Sequence, residues 1–132
     1  MNAAGPQRHV FEVSPDLGSV SSLCQRPPDA HALLVFAHGA GADMYHRSMD
    51  LMADALSNHG VASFRYQFPY AERARSLQRR HAPDRSPQLM KTIRAAVKAA
   101  SEHAGDLPLF AGGKSMGGRM TSLAQADKPL PG

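Results

Sequence analysis

The chain has 132 residues, 42% of them apolar, a single cysteine and a formal net charge of +4. That length fits one domain with a core of its own. Cys24 has no intrachain partner, and no Cys/His cluster has zinc-ligand spacing, so neither a disulfide framework nor a structural metal is expected. The segment Met1–Val10 lacks the apolar core of a signal peptide, and the longest apolar run, Ala32–Ala37, is too short to cross a bilayer. We therefore expect a cytoplasmic protein without membrane contact.

Two short strands are predicted first, His9–Val13 and Ser19–Leu23, divided by the turn signal Ser14-Pro15-Asp16-Leu17-Gly18. The run Ala32–Ala37 reads as a strand buried on both faces. A glycine-rich turn, His38-Gly39-Ala40-Gly41-Ala42, follows it. Met49, Met52, Ala53 and Leu56 then recur at helical spacing and predict one buried face of a helix ending near Gly60. Val61–Tyr66 reads as the next strand. Arg73, Arg75, Arg79, Arg80 and Arg85 follow in what reads as a basic loop, residues 73–85. A solvated loop is its simplest reading and a gate for an acidic substrate the second. Nucleic acid is disfavoured, because no aromatic stacking platforms interleave the arginines.

Ser86-Pro87 opens a helix, read with a capping hydroxyl and proline at its first position. Leu89, Ile93, Ala96, Val97 and Ala100 form its apolar stripe, with Lys91, Arg94 and Lys98 directed to solvent. Leu107–Ala111 is a further strand, and Ser115–Ala124 begins a helix with Met116, Met120 and Leu123 inward. Strands alternating with helices predict an α/β fold, a mostly parallel sheet with helices on both faces, whose functional residues collect at the carboxyl ends of the strands.

Between the last strand and helix lies Gly112-Gly113-Lys114-Ser115-Met116-Gly117-Gly118. G-x-S-x-G at a strand-to-helix turn is the pattern of a nucleophile elbow, in which small flanking residues let the chain bend and raise the serine hydroxyl. A phosphate-binding loop is the rival reading. It requires a glycine at position 108, where Pro108 stands. Acyl transfer by Ser115 needs donors for the developing oxyanion. The N–H of Met116, just after the serine at a helix N-terminus, is one candidate, and that of Ala40 or Gly41 is the other.

The three blocks H-G-A-G-A-D-M, F-R-Y-Q-F-P-Y and G-G-K-S-M-G-G-R, in this order and each at a strand end, resemble the small dienelactone-hydrolase-like branch of the α/β-hydrolases. The resemblance spans nearly the whole chain. It implies an α/β-hydrolase sheet, Ser115 as nucleophile, the Ala40 turn and Met116 as oxyanion hole, and His38, Gln67, Phe68 and Tyr70 as pocket residues. It also implies a small ester or related acyl substrate and no cofactor. The family's order of Ser, then Asp or Glu, then His is not completed here: no histidine follows His103, and Asp127 is the only acid after Ser115. His38 or His46 could stand in as base. The expectation is an incomplete, C-terminally truncated α/β-hydrolase fold, weakly active or inactive alone. The alternative is a non-catalytic fragment that binds a protein partner. Truncation would in either case leave Leu107–Ala111 a bare edge through which the chain self-associates.

Overall fold

The computed structural model describes residues 5–132; the first four residues of the Met1–Val10 segment lie outside it. Five strands and four helices follow in the order β1 (Gln7–Ser14), β2 (Gly18–Gln25), β3 (Ala32–Ala37), α1 (Arg47–Asn58), β4 (Val61–Tyr66), α2 (Pro69–Leu77), α3 (Ser86–Ala104), β5 (Leu109–Gly113) and α4 (Met116–Asp127). They form one sheet in the order β1-β2-β4-β3-β5. No helix of the described residues is long and apolar enough to cross a membrane.

The sheet is mixed rather than mostly parallel. β1 and β2 form an antiparallel hairpin, and β2 joins β4 antiparallel, while β3 pairs parallel with both β4 and β5. The hairpin is dictated locally: Ser14 Oγ accepts the Leu17 amide at 3.0 Å, and Gly18 takes φ 76°, a conformation open to glycine. A two-strand unit closed by so short a turn can only be antiparallel. The β3–α1–β4 and β4–α2–α3–β5 segments contain helices long enough for the crossover that parallel pairing needs.

Alternation along β4 assigns the two faces. Phe64 lies against the His103 ring of α3, with centroids 5.8 Å apart, whereas Arg65 reaches Asp50 of α1. One core therefore joins Leu33, Val35 and Ala37 of β3 and Phe64 and Tyr66 of β4 to Ile93 and Val97 of α3 and Met120 and Ala124 of α4. On the opposite face α1 buries Met49 and Ala53. Met52 and Leu123, expected inward, are exposed, because the buried stripe of each helix is narrower than its apolar residues suggest. Arg94, expected in solvent, instead donates to the Ala124 carbonyl at 2.7 Å, which also accepts the Lys128 amide at 3.0 Å, and to the Lys128 carbonyl at 2.9 Å, capping the end of α4.

The largest departure from the expected elements is α2. Its buried face is confined to Pro69, Tyr70 and Ala71, so no apolar repeat betrays it among the arginines. Pro69 sits in its first turn, where proline's missing N–H costs nothing. Asp84 then accepts the Tyr70 amide at 3.1 Å and Arg73 Nη2 at 3.1 Å. The basic stretch is thus a helix followed by a loop. α3 likewise starts one residue early, capped by Arg85 without a side-chain bond, and the hydroxyl cap expected of Ser86 is not formed. β5 starts at Leu109 rather than Leu107 and ends the sheet, with Phe110 exposed.

Candidate functional site

Ser115 stands between β5 and α4 with φ 54° and ψ −116°, a backbone region that side-chain-bearing residues rarely occupy. Strain of this kind costs about 1–3 kcal/mol and persists only where the surroundings over-determine it. Here the Lys114 amide donates to the Ala37 carbonyl at 2.9 Å, that of Gly117 to the Lys114 carbonyl at 3.0 Å, and that of Arg119 to the Ser115 carbonyl at 2.9 Å. Packing adds a harder limit. A Cβ on Gly117 would lie 2.5 Å from the His38 carbonyl oxygen, and one on Gly113 2.7 Å from the Gly117 carbonyl carbon. These positions are glycine because backbone occupies the space. Ser115 and Lys114 are exposed at the tip.

The glycine turn after β3 closes over this elbow. A Cβ on Gly39 would stand 3.3 Å from the Lys114 carbonyl oxygen and 3.5 Å from Ser115 Cβ, so the two loops are in contact. Gly41 has φ 75°, and the Ala42 amide turns back to the Gly39 carbonyl at 3.4 Å. The amides of Ala40 and Gly41 have no acceptor among the described residues. The Met116 amide opens α4, where first-turn N–H groups lack intrahelical partners and the peptide dipoles favour negative charge. Ser115, Ala40, Gly41 and Met116 are thereby gathered at the carboxyl ends of β3 and β5.

His38 is fully buried beneath this turn rather than in a wall of it. The Phe68 amide can only donate, so at 3.3 Å it makes His38 Nε2 the acceptor, and Nδ1–H donates to the Gly39 carbonyl at 2.8 Å. Both ring nitrogens are spent on backbone. Burial pushes the His38 pKa below its ordinary value, against the Gly39 hydrogen bond and the Asp43 charge that would raise it. Gln67 and Phe68 are also buried, and Gln67 acts as a clamp: Oε1 accepts the Met44 amide at 2.9 Å and Nε2 donates to Asp43 Oδ2 at 3.4 Å.

Asp43, which pattern reading overlooked, is the hub of this network. It accepts Arg75 Nε at 2.9 Å and the Tyr45 amide at 2.9 Å, while the Arg75 guanidinium lies 4.2 Å over the Tyr45 ring. Burial works to raise the Asp43 pKa, but the Arg75 and Tyr45 hydrogen bonds and the guanidinium charge outweigh it and hold the carboxylate low. Between the glycine turn and α2 opens a groove of about 810 Å³ whose lining includes Ala40, Gly41, Tyr45, Tyr70 and Arg75. Tyr70 is the pocket residue that reaches it, its ring stacked on Phe68 at 6.3 Å between centroids. No sequence signal marks Asp43 or Arg75 as partners; they meet only because α2 forms.

No base stands at Ser115: among the described residues its hydroxyl makes no side-chain hydrogen bond. His46 lines the groove but caps α1, its Nδ1 accepting the Ser48 amide at 3.1 Å. Asp127 is exposed and pairs with Arg94 at 3.5 Å, away from the elbow at the other end of α4.

A family model described as alpha/beta hydrolase domain matches residues 30–132. Among solved structures, a dienelactone hydrolase from Anabaena variabilis superposes with a TM-score of 0.74 at 21% identity, over 96% of this chain and 60% of that one. An alpha-beta serine hydrolase homologue from Coxiella burnetii gives 0.74 at 15% identity over 97% and 61%, and a lidless serine hydrolase from Xanthomonas campestris 0.70 at 16% over 96% and 58%. The chain therefore spans about 60% of the length of these structures. No curated protein matches its sequence.

Two outcomes follow from this geometry. Gly117→Ala should destabilise the fold by about 2 kcal/mol or more, since the new methyl group meets backbone that cannot rotate away; a urea midpoint equal to wild type would refute the packing argument. For His38, the folded pKa lies below the ordinary 6.5, so the unfolded chain binds the extra proton and stability rises with pH. Its contribution is complete above 6.5 and is lost as pH falls from there toward the lowered folded pKa. Urea midpoints between about pH 7.5 and 5.5 should therefore fall less steeply in His38→Asn than in wild type. The residual slope belongs in part to His103, which is shifted the same way, by burial first and then by the charge of His9.

Proposed function

Because the chain belongs to the alpha/beta hydrolase domain family, we propose that it is a serine hydrolase sequence for small ester or related acyl substrates, with Ser115 as its nucleophile. One observation carries the reading: a non-glycine residue with positive φ at a strand-to-helix turn, its Cβ beside a glycine turn whose Ala40 and Gly41 amides have no acceptor among the described residues. In this mechanism Ser115 Oγ attacks the acyl carbon and gives its proton to a base. The carbonyl oxygen takes the negative charge and accepts hydrogen bonds from Met116 N–H and from Ala40 or Gly41 N–H. The tetrahedral intermediate collapses, expelling the protonated leaving group, and water then releases the acyl group from the serine. Each oxyanion donor is worth about 3 kcal/mol in the transition state.

The base and its acid are assigned to no residue of this chain. His38 is consumed by the Gly39 and Phe68 backbone, and the chain spans only about 60% of the length of the dienelactone hydrolase it superposes on. We read the chain as the N-terminal portion of a hydrolase domain in the cytoplasm, weakly active by itself. An unaided serine is a poor nucleophile near neutral pH, and losing the base typically removes about a millionfold in turnover.

A fluorophosphonate probe tests the nucleophile directly. Over long exposure to excess probe, wild-type chain should label at Ser115 slowly, in keeping with the missing base, Ser115→Ala should not label at all, and Ala40→Pro, which deletes an amide donor, should be slower still. No labelling of folded wild-type chain would sink the assignment. The same reading makes β5, the edge strand with its exposed Phe110, a surface for self-association. Sedimentation should then show association rising with concentration and reduced by Phe110→Lys; a monodisperse monomer throughout would count against it.

A further inference from the structure

The arginines of α2 and the loop after it are not equivalent. Arg73 is neutralised by Asp84 at 3.1 Å and Arg75 by Asp43 at 2.9 Å. Arg79 and Arg80 have no carboxylate partner among the described residues, yet both line the groove that begins at Ala40 and Gly41. Their placement is built. α2 ends with Gln78 at φ 53° and ψ 43°, and the Gln78 and Arg79 amides return to the Arg75 and Ala74 carbonyls at 3.3 and 3.0 Å. A glycine would take this left-handed turn without strain, but the position holds glutamine, and the turn carries the chain back along the groove.

Tyr70 supplies an independent observation. It is 4% exposed and lines the same groove, and its hydroxyl is buried without any hydrogen-bond partner. A buried hydroxyl left unpaired costs about 1–3 kcal/mol, which a ligand oxygen would relieve. Burial first, and then the negative charges of Asp84 and Asp43, push its pKa up to about 12, so near neutral pH it remains a donor. The groove thus offers two unpaired guanidinium forks, with an unpartnered O–H buried in the Tyr70 wall beside them, a set that calls for an acceptor with several oxygens and more than one negative charge. A single carboxylate leaves one arginine unanswered. A phosphate monoester carries about −1.5 to −2 at neutral pH and presents three acceptor oxygens, and guanidinium pairs with it bidentately.

We propose that this groove is the subsite for a phosphate group carried by the substrate, with Arg79 and Arg80 as its charge partners and the Tyr70 hydroxyl as a further donor. The word substrate rests on the hydrolase reading above, since the groove starts at the turn beside Ser115; the phosphate preference does not. The protein's reaction then acts on an acyl ester whose other end is phosphorylated.

Calorimetric titration of the chain with phenyl phosphate, benzoate and benzyl alcohol, at low salt and neutral pH, separates charge from ring. Phenyl phosphate should bind at least about tenfold more tightly than benzoate, and added salt should weaken it. Arg79→Gln/Arg80→Gln should erase that preference, and Tyr70→Phe should weaken phenyl phosphate several-fold with its salt dependence kept. Arg26→Gln, remote from the groove, should change nothing. Phenyl phosphate binding no tighter than benzoate, or a preference that survives in the double arginine variant, overturns the proposal. Fluorophosphonate labelling in parallel keeps the two readings apart. Preference without labelling leaves the phosphate subsite standing and removes the hydrolase, and labelling without preference does the reverse.

Discussion

The contact between the β3 turn and the β5–α4 elbow is the constraint on which the rest of the site depends. Four glycines, Gly39, Gly113, Gly117 and Gly118, stand where a side chain would press on backbone. Because these segments touch, the Ala37 carbonyl can take the Lys114 amide, and that bond holds the chain in the bend that Ser115 needs. Parallel pairing of β3 with β5, from Leu33 opposite Leu109 to Ala37 opposite Gly113, brings both turns to the same end of the sheet. Local strain at Ser115 is thereby borne by long-range packing, as a strained residue requires.

A second layer of buried polar groups fixes the turn from beneath. His38 ties its first residues to the start of α2 through Phe68, while Gln67 holds its end at Met44. Each of these side chains is buried and offers a donor or acceptor to a backbone group that would otherwise be orphaned, so their value lies in satisfying the loop rather than in reactivity. This explains why residues that resemble a pocket lining in a motif can lie behind it. The H-G-A-G-A and F-R-Y-Q-F-P-Y blocks keep their polar residues for architecture, and among them only Tyr70 reaches the groove.

The parts legible in the sequence were those written in local chemistry. Ala32–Ala37 reads as a buried strand, Gly60 ends α1 with a left-handed φ of 77°, and the G-x-S-x-G turn adopts the bend its glycines permit. What escaped reading depends on distant partners. α2 has one buried turn, so its periodicity is too brief to register, and its stability draws on Asp84 and on Glu72 accepting the Ser21 amide at 2.6 Å. The exposure of Met52 and Leu123 and the capping role of Arg94 were hidden for the same reason: hydropathy gives the face of a helix, and the width of its contact is set by what packs on it. Strand direction also needs the loops, since the hairpin and β2–β4 pairing turn half of a seemingly parallel sheet antiparallel.

Arg65 shows how far this logic reaches. It is a buried guanidinium in the middle of the sheet face covered by α1, donating to the Met44 carbonyl at 3.0 Å and to the Asp50 carboxylate, with Nε unpaired. Burying a charge is costly unless it is paired and hydrogen-bonded, so a group placed there is better explained by what it orders than by net stabilisation. It joins β4, α1 and the end of the glycine turn at one atom, Nη1. With Gln67 holding the Met44 amide and Arg65 its carbonyl, Met44 is gripped from both sides of its backbone. The turn beside Ser115 is therefore rigid on the sheet side, while the wall opposite it is a short helix and an arginine-bearing loop anchored chiefly by Asp43 and Asp84. On the proposed hydrolase reading, the nucleophile thus stands on the fixed wall, and the arginines of the opposite wall, Arg79 and Arg80, keep side chains free to answer a ligand.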